Sequence, residues 1–449
     1  MTTAVAHKKI PKLTFVELWK SRQDRFGLMA KSPAKYPDLF GFKVPGRDVL
    51  VINNHEMVQH ILVRNMRNYQ KDHGYKVLAI LLGNGLITNT DHASWRKQRT
   101  LLQPPFHRES LQNMCNIVVT STEQLLQKWK AKEGSEINFT HDMAWLTIDI
   151  VCKTLFTSNV TDEQIKMVWR NLNFMNAIGS KMSMNPMHIP FKYPLPSYIK
   201  GRKYIAELDE MIYGIIRNRK NEKDPPRDLL QLLIEAKYED GSSMTDEQIR
   251  DEVMTVFLAG HETTVNALSW TWYLLKQNPV AEQKLHEESK QFAEKNPGFY
   301  DIPNLKYGFG VMNESMRIYP PVAAIGRAAV ESEEVNGYFI KANTITLINI
   351  AGLHHHPANW ENPFEFKPER FENFDMKGEN RFIFMPFGGG PHICIGNNFA
   401  MMEMQLINAI FSARIDMELV SKDIRPEPLI TLKPGNGVIM KIKKVHCNV

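Results

Sequence analysis

Ten residues constrain this chain more than any others: Phe387-Gly388-Gly389-Gly390-Pro391-His392-Ile393-Cys394-Ile395-Gly396. A lone cysteine closes a glycine-rich loop, and the stretch after it, Asn397 to about Arg414, predicts a helix. A thiolate at a helix N-terminus is favoured by the positive end of the dipole and by free backbone N–H groups. Glycines let the backbone come close to something flat and large. A tuned thiolate with close backbone approach suits an axial haem ligand. The same residues also admit a plainer reading, a small buried cysteine after an ordinary turn.

The spacing is more specific than its parts. Phe, two residues, Gly, three residues, Cys, one residue, Gly resembles the haem-binding loop of the cytochrome P450 family, with Phe387, Gly390, Cys394 and Gly396 in register. The resemblance implies that Cys394 is the axial ligand of the haem iron. His392 falls where the family often has Arg and sometimes His, facing a haem propionate.

The 449 residues suffice for a large core, and 43% hydrophobic with 23% charged content is ordinary for a globular protein. A net charge of +6 without a long Lys/Arg run gives no reason to expect nucleic acid. Cys115, Cys152, Cys394 and Cys447 lack metal or disulfide spacing, which suits a reducing, cytoplasmic setting. Met1 to Lys20 holds neither the roughly 20 apolar residues of a membrane span nor a signal-peptide core. The expectation is a soluble, bacterial-type member: an N-terminal arm at 1–34, then one haem domain at 35–449 without a fused reductase.

Phe40 to Asn53 predicts a hairpin around Pro45-Gly46, and Asn54 caps a helix through Asn65. Residues 68–85 read as a loop with a polar start, over the substrate pocket in the family. Trp95 and Arg99 lie one turn apart on a helix from about His92, a spacing that suits a cation–π pair. They resemble the family's Trp-x-x-x-Arg element, in which Arg99 would pair with a porphyrin carboxylate. Arg96, Lys97 and Arg108 form either a face for an acidic electron donor or a solvated helix face. Gly179 to Lys200, rich in Met and Pro, predicts a joint between two helices.

A second pillar runs from Thr245 to about Asn278, a helix apolar enough in its second half to be buried. Its middle reads Ala259-Gly260-His261-Glu262-Thr263-Thr264, costly inside a helix. One reading is a kink satisfied by a threonine bonding back to a carbonyl. The pattern also resembles the family's oxygen-binding groove. There Glu262 and Thr263 would relay protons, and Ala259 and Gly260 would leave room for the haem face and O2.

Glu314 and Arg317, with Arg370 of Phe366-Lys367-Pro368-Glu369-Arg370-Phe371, resemble the family's Glu-x-x-Arg element and its downstream partner, a structural lock. Arg327 sits where the family often has a second propionate-binding Arg. Val335 to Tyr338 predicts a hairpin turn. His354-His355-His356 in an extended stretch would point to alternate faces and could not close on one ion, so a surface loop is expected. Leu429 to Lys443 predicts a hairpin turned at Pro434 to Gly437, its tip reaching the active site.

The resemblance implies a mainly α fold with small β-sheets, haem b lying between the long helix and the cysteine loop with its proximal helix. It implies a haem-thiolate monooxygenase that hydroxylates, or oxidatively O-demethylates, a small organic substrate with O2. Electrons would come from NAD(P)H through a ferredoxin or flavodoxin and its reductase. A peroxide-driven peroxygenase and a haem-binding sensor or carrier are the rivals; retention of Glu262 and Thr263 disfavours both. Fatty acids, terpenoids and steroids are the family's default substrates, whereas Lys71, His73, Tyr75 and Lys76 would suit a methoxylated sugar or aromatic.

Overall fold

The computed structural model describes residues 7–446 except 15, 18–20, 22, 45, 159, 185–188, 239 and 240. It is mainly helical with small sheets. Contacts divide the chain into two compact units, one of residues 1–74, 316–366 and 373–394, the other of 75–315, 367–372 and 395–449.

The first unit is built on a five-stranded sheet in the order Leu39–Val44, Arg47–Ile52, Ile345–Ile348, Ile325–Ala329, Tyr69–Lys71. The first two strands form the expected hairpin, turned at Gly46 with φ +77°; Pro45 lies outside the described residues. Arg47–Ile52 runs parallel to Ile345–Ile348, so distant parts of the chain meet edge to edge. Leu39, Leu50, Ile52 and Ile348 share a core with Met57, Val58, Ile61 and Leu62. Asn54 caps that helical segment, accepting the N–H groups of Glu56 and Met57 at 2.9 and 3.1 Å. The turn between Glu333–Val335 and Tyr338–Ile340 places Asn336 and Gly337 at φ +51° and +82°, the left-handed pair that a tight hairpin needs.

Three local expectations are corrected here. Residues 68–85 are not a loop: Tyr69–Lys71 pairs with Ile325–Ala329, and His73–Leu82 is a helix burying Val77, Leu81 and Leu82. The polar start masked that helical apolar repeat. His354, His355 and His356 are not a surface loop but buried, His354 ending the helix Ile350–His354. All three bond to backbone groups, and no metal-holding His/Cys/Asp/Glu cluster occurs among the described residues.

In the second unit the helix Asp246–Gln277 is buried along most of its 32 residues. Thr245 opens it with a capping box: its hydroxyl accepts the Gln248 N–H at 3.2 Å, and Gln248 Oε1 accepts the Thr245 N–H at 2.8 Å. Asp162–Met184 and Pro196–Lys220 pack as neighbours. The joint between them is shorter than expected because the first helix continues to Met184; Pro186 and Met187 lie outside the described residues.

The third correction concerns the C-terminal segment. The turn at Pro434 to Gly437 exists, with Gly437 N–H on Pro434 O at 3.0 Å, but its arms join different sheets. Leu432–Pro434 pairs with Pro426–Pro428, and Ile439–Val445 lies between Glu136–Asn138 and Ile415–Leu419. Gly435 N–H bonds Arg425 O at 2.9 Å, which ties the turn to the residue just before Pro426–Pro428.

The Glu-x-x-Arg side chains, Glu314 and Arg317, are fully buried. Glu314 Oε1 accepts the Lys367 N–H at 2.9 Å and Arg370 Nε at 3.2 Å. Arg317 donates to the carbonyls of His354, Pro363 and Glu365 at 2.8, 2.7 and 3.1 Å. Each charge ties a separate backbone stretch in place, a structural role. No described helix is long and apolar enough to cross a membrane.

Candidate active site

In the first unit the cysteine loop is held by its own backbone. Gly388 N–H bonds Met385 O at 3.0 Å, Ile393 N–H bonds Gly390 O at 3.1 Å, and Cys394 N–H bonds Phe387 O at 2.9 Å. Gly388 and Gly390 have φ of +74° and +67°. A Cβ on Gly390 would stand 2.4 Å from Leu62 O, so conformation and space both demand glycine. Cys394 is exposed, whereas Cys115 and Cys152 are buried. Burial pushes the Cys115 thiol up to about 11 and the Cys152 thiol higher still, so neither is a ready thiolate. Phe387 and His392 are half-buried. Arg327 is buried and donates to Gly326 O at 2.8 Å. Burial raises the nearby Asp72 carboxyl, with the Arg327 charge acting against that rise.

In the second unit Gly396 caps the helix Asn397–Arg414, which begins three residues after Cys394. Its missing side chain is not forced by space: a Cβ would meet only the Phe106 ring, at 3.6 Å. Trp95 is buried on the helix His92–Leu102, with the Arg99 guanidinium 5.8 Å from its ring centre, the pairing their spacing predicted. Arg96, Lys97 and Arg108 are exposed.

Both threonines of the Ala259–Thr264 turn bond back to its own carbonyls. Thr263 Oγ1 donates to Ala259 O at 2.8 Å, and Thr264 Oγ1 lies 3.2 Å from Gly260 O and 3.4 Å from Glu403 Oε2. That is the back-bonding reading of these residues. Gly260 faces Val151, whose Cγ2 would be 3.2 Å from an added Cβ. His261 is buried and donates from Nδ1 to Phe257 O at 2.8 Å; burial lowers its pKa.

Glu262 is held by residues that sequence reasoning missed. Lys433 Nζ lies 2.7 Å from its Oε1, with side-chain exposures of 13% and 5% for Lys433 and Glu262. Asn176 Nδ2 donates to the same oxygen, and Lys433 also donates to Asn173 Oδ1. Asn176 Oδ1 accepts the Ile430 N–H at 3.2 Å. The only trace in the sequence was a cation inside an otherwise apolar strand, Leu432–Pro434. Glu403 was also missed. It is fully buried, its Oε1 has no hydrogen-bond partner among the described residues, and burial pushes its carboxyl up to about 8.

A small cavity of about 20 Å³ opens beside Glu262. Val77, Leu81, Met175, Met182, Leu258 and Ile430 line it, so its wall is chiefly apolar. Ile430 belongs to the link between the two C-terminal strands; this link, not the Pro434–Gly437 turn, reaches the cavity. Lys71, His73, Tyr75 and Lys76 are absent from the lining.

The cytochrome P450 family model matches residues 10–448. The chain belongs to the cytochrome P450 family, and is thereby an oxidoreductase of the monooxygenase kind. It is similar to cyclooctatin synthase of Streptomyces melanosporofaciens, 32% identical over 420 residues and 91% of each chain. Cyclooctat-9-en-7-ol 5-monooxygenase of the same organism is 31% identical, over 92% of this chain and 89% of that protein. Human cytochrome P450 4V2 is 29% identical, over 88% and 80% respectively.

Proposed function

We propose that this protein is a haem-thiolate monooxygenase that hydroxylates a cyclic hydrocarbon or its simple alcohol, the terpenoid type among the family's default substrates. The observation that carries the substrate class is the apolar cavity beside Glu262. The name of one relative, cyclooctat-9-en-7-ol 5-monooxygenase, describes a substrate of that kind. The lining withdraws support from a methoxylated sugar; O-demethylation would require a methyl ether apolar enough for the same walls.

The residues fit a haem. Among the described cysteines only Cys394 is exposed, and Gly388 to Gly390 carry no side chains that would hold a flat group away. Cys394 would ligate the iron, and Arg99, Arg327 and His392 would hold the propionates, with Trp95 stacked against Arg99. Haem supplies the oxygen chemistry: one atom of O2 enters a C–H bond and the other leaves as water, with two electrons and two protons. Ala259 and Gly260 keep the groove free of bulk. Glu262 and Thr263 hold and hand on the protons, which requires the Lys433 ion pair and the Thr263–Ala259 bond to loosen in turn. The walls at Met175 and Met182, adaptable side chains, admit substrate by moving, because the cavity is too small as it stands. Electrons come from NAD(P)H through a ferredoxin or flavodoxin and its reductase, for which exposed Arg96, Lys97 and Arg108 offer a basic docking face.

The test is the absorption spectrum of the purified, reduced protein with carbon monoxide. A Soret band displaced far to the red, and lost in Cys394→Ala, supports the thiolate ligand. A shorter-wavelength band in fresh protein refutes it and favours a haem carrier. Spin-state titration then decides substrate class: tighter binding of methoxylated sugars than of cyclic hydrocarbons would overturn the apolar assignment.

A further inference from the structure

His354 has no exposed surface, and its two ring nitrogens have opposite duties. Nδ1 lies 3.2 Å from Met316 O, which can only accept. Nε2 lies 2.9 Å from the Met385 N–H, which can only donate. One form satisfies both, the neutral ring with its proton on Nδ1. Burial, aided by the neighbouring Arg317 charge, holds the imidazole pKa well below its ordinary value and so favours that form.

The partner on the loop side is well placed. Met385 is buried in the same core as Leu62, Leu353 and Phe382. Its carbonyl accepts the Gly388 N–H at 3.0 Å, and two residues further on Phe387 O accepts the Cys394 N–H at 2.9 Å. A run of hydrogen bonds and short chain segments thus leads from Met316, near the end of the helix Lys306–Ile318, through His354 to the amide of Cys394. Arg317 strengthens the near end by donating to His354 O at 2.8 Å. Phe384 packs against the imidazole, ring centres 5.0 Å apart, which limits its rotation.

We propose that His354 is a positioning residue for the cysteine loop: its Nε2 anchors the Met385 amide and so sets where Cys394 is presented. The part of this that concerns ligation rests on reading Cys394 as the iron ligand. The anchoring of Met385 does not, and the two are separable by experiment.

Two amides distinguish anchoring from simple packing. In His354→Gln the side-chain oxygen can reach the Nε2 position and accept the Met385 N–H. In His354→Asn the amide lies at the Nδ1 position, keeps Met316, and leaves Met385 N–H unpaired in the core. Two readouts on the haem-loaded protein apply: hydrogen–deuterium exchange of the 384–388 backbone, and the reduced carbon monoxide spectrum. The expected result is near-wild-type behaviour for Gln. For Asn, Met385 exchange should be about tenfold faster or more, because a buried donor has lost its acceptor, and a substantial share of the Soret band should move to shorter wavelength. Equal behaviour of Asn and Gln, whether both intact or both damaged, overturns the proposal. Faster exchange in Asn with an unchanged spectrum overturns the link to Cys394. If the wild-type protein itself lacks the red-shifted band, the thiolate reading fails, while the exchange comparison still decides whether His354 anchors Met385.

Discussion

Replacing Lys433 with methionine would leave the Glu262 carboxylate in place without its cation. The two side chains are only 13% and 5% exposed, so solvent screens the pair weakly, and their separation is 2.7 Å. Breaking a buried ion pair from one side typically costs about 3–5 kcal/mol, because a desolvated charge is left uncompensated. Asn176 still donates to Oε1, which places the expectation near the lower end, about 3 kcal/mol. The assay is a double-mutant cycle with Glu262→Gln, followed by denaturant unfolding of the haem-loaded protein at constant pH. A glutamine carries no charge and keeps an oxygen for Asn176. Lys433→Met combined with Glu262→Gln should therefore be more stable than Lys433→Met alone, with a coupling above about 1 kcal/mol. Additivity within about 0.5 kcal/mol, or a Lys433→Met cost below that figure, would refute the claim that the cation is what makes this buried carboxylate tolerable.

Other outcomes are as specific. Glu403 is held neutral to about pH 8 when folded but ionises near 4.5 when unfolded, so it lowers stability progressively as pH rises from 4.5 to 8. Glu403→Gln should raise the melting temperature at pH 8 and do little at pH 4.5; an equal effect at both would contradict that. His355 is neutral in the fold, its pKa lowered to about 3 mainly by burial, against 6.5 when free. Its contribution is present above pH 6.5 and is lost as pH falls toward 3, so His355→Phe should flatten the acid limb of the stability profile. Gly390→Ala places a Cβ 2.4 Å from Leu62 O at φ +67°. Haem retention should fall severely, whereas Gly396→Ala, with only a 3.6 Å contact to meet, should retain it.

The motifs were legible in the sequence because each is local. Gly390, Cys394 and the Trp95–Arg99 turn are set by spacing along one loop or one helix, and Thr245 announced the start of the long helix. The same holds for the Asn336-Gly337 turn, where left-handed backbone selects the residue types. The class of chemistry followed from the resemblance of these motifs to those of the cytochrome P450 family.

What only the tertiary structure decided was the company each residue keeps. Glu262 meets Lys433, 171 positions away, and nothing local in either segment predicts the other. The three histidines were expected on a surface loop because the stretch was taken as extended, with side chains alternating between faces, whereas His354 ends a helix. In the fold they are buried, since backbone carbonyls and an amide satisfy ring nitrogens as well as water does. The C-terminal turn was visible, but strand partners are chosen by which edges and apolar faces are free, and that is settled only when Pro426–Pro428 and Ile415–Leu419 are in place. A turn is a property of four residues. A sheet partner, a buried ion pair and the polarity of a pocket belong to segments far apart in the chain, and packing alone brings those together.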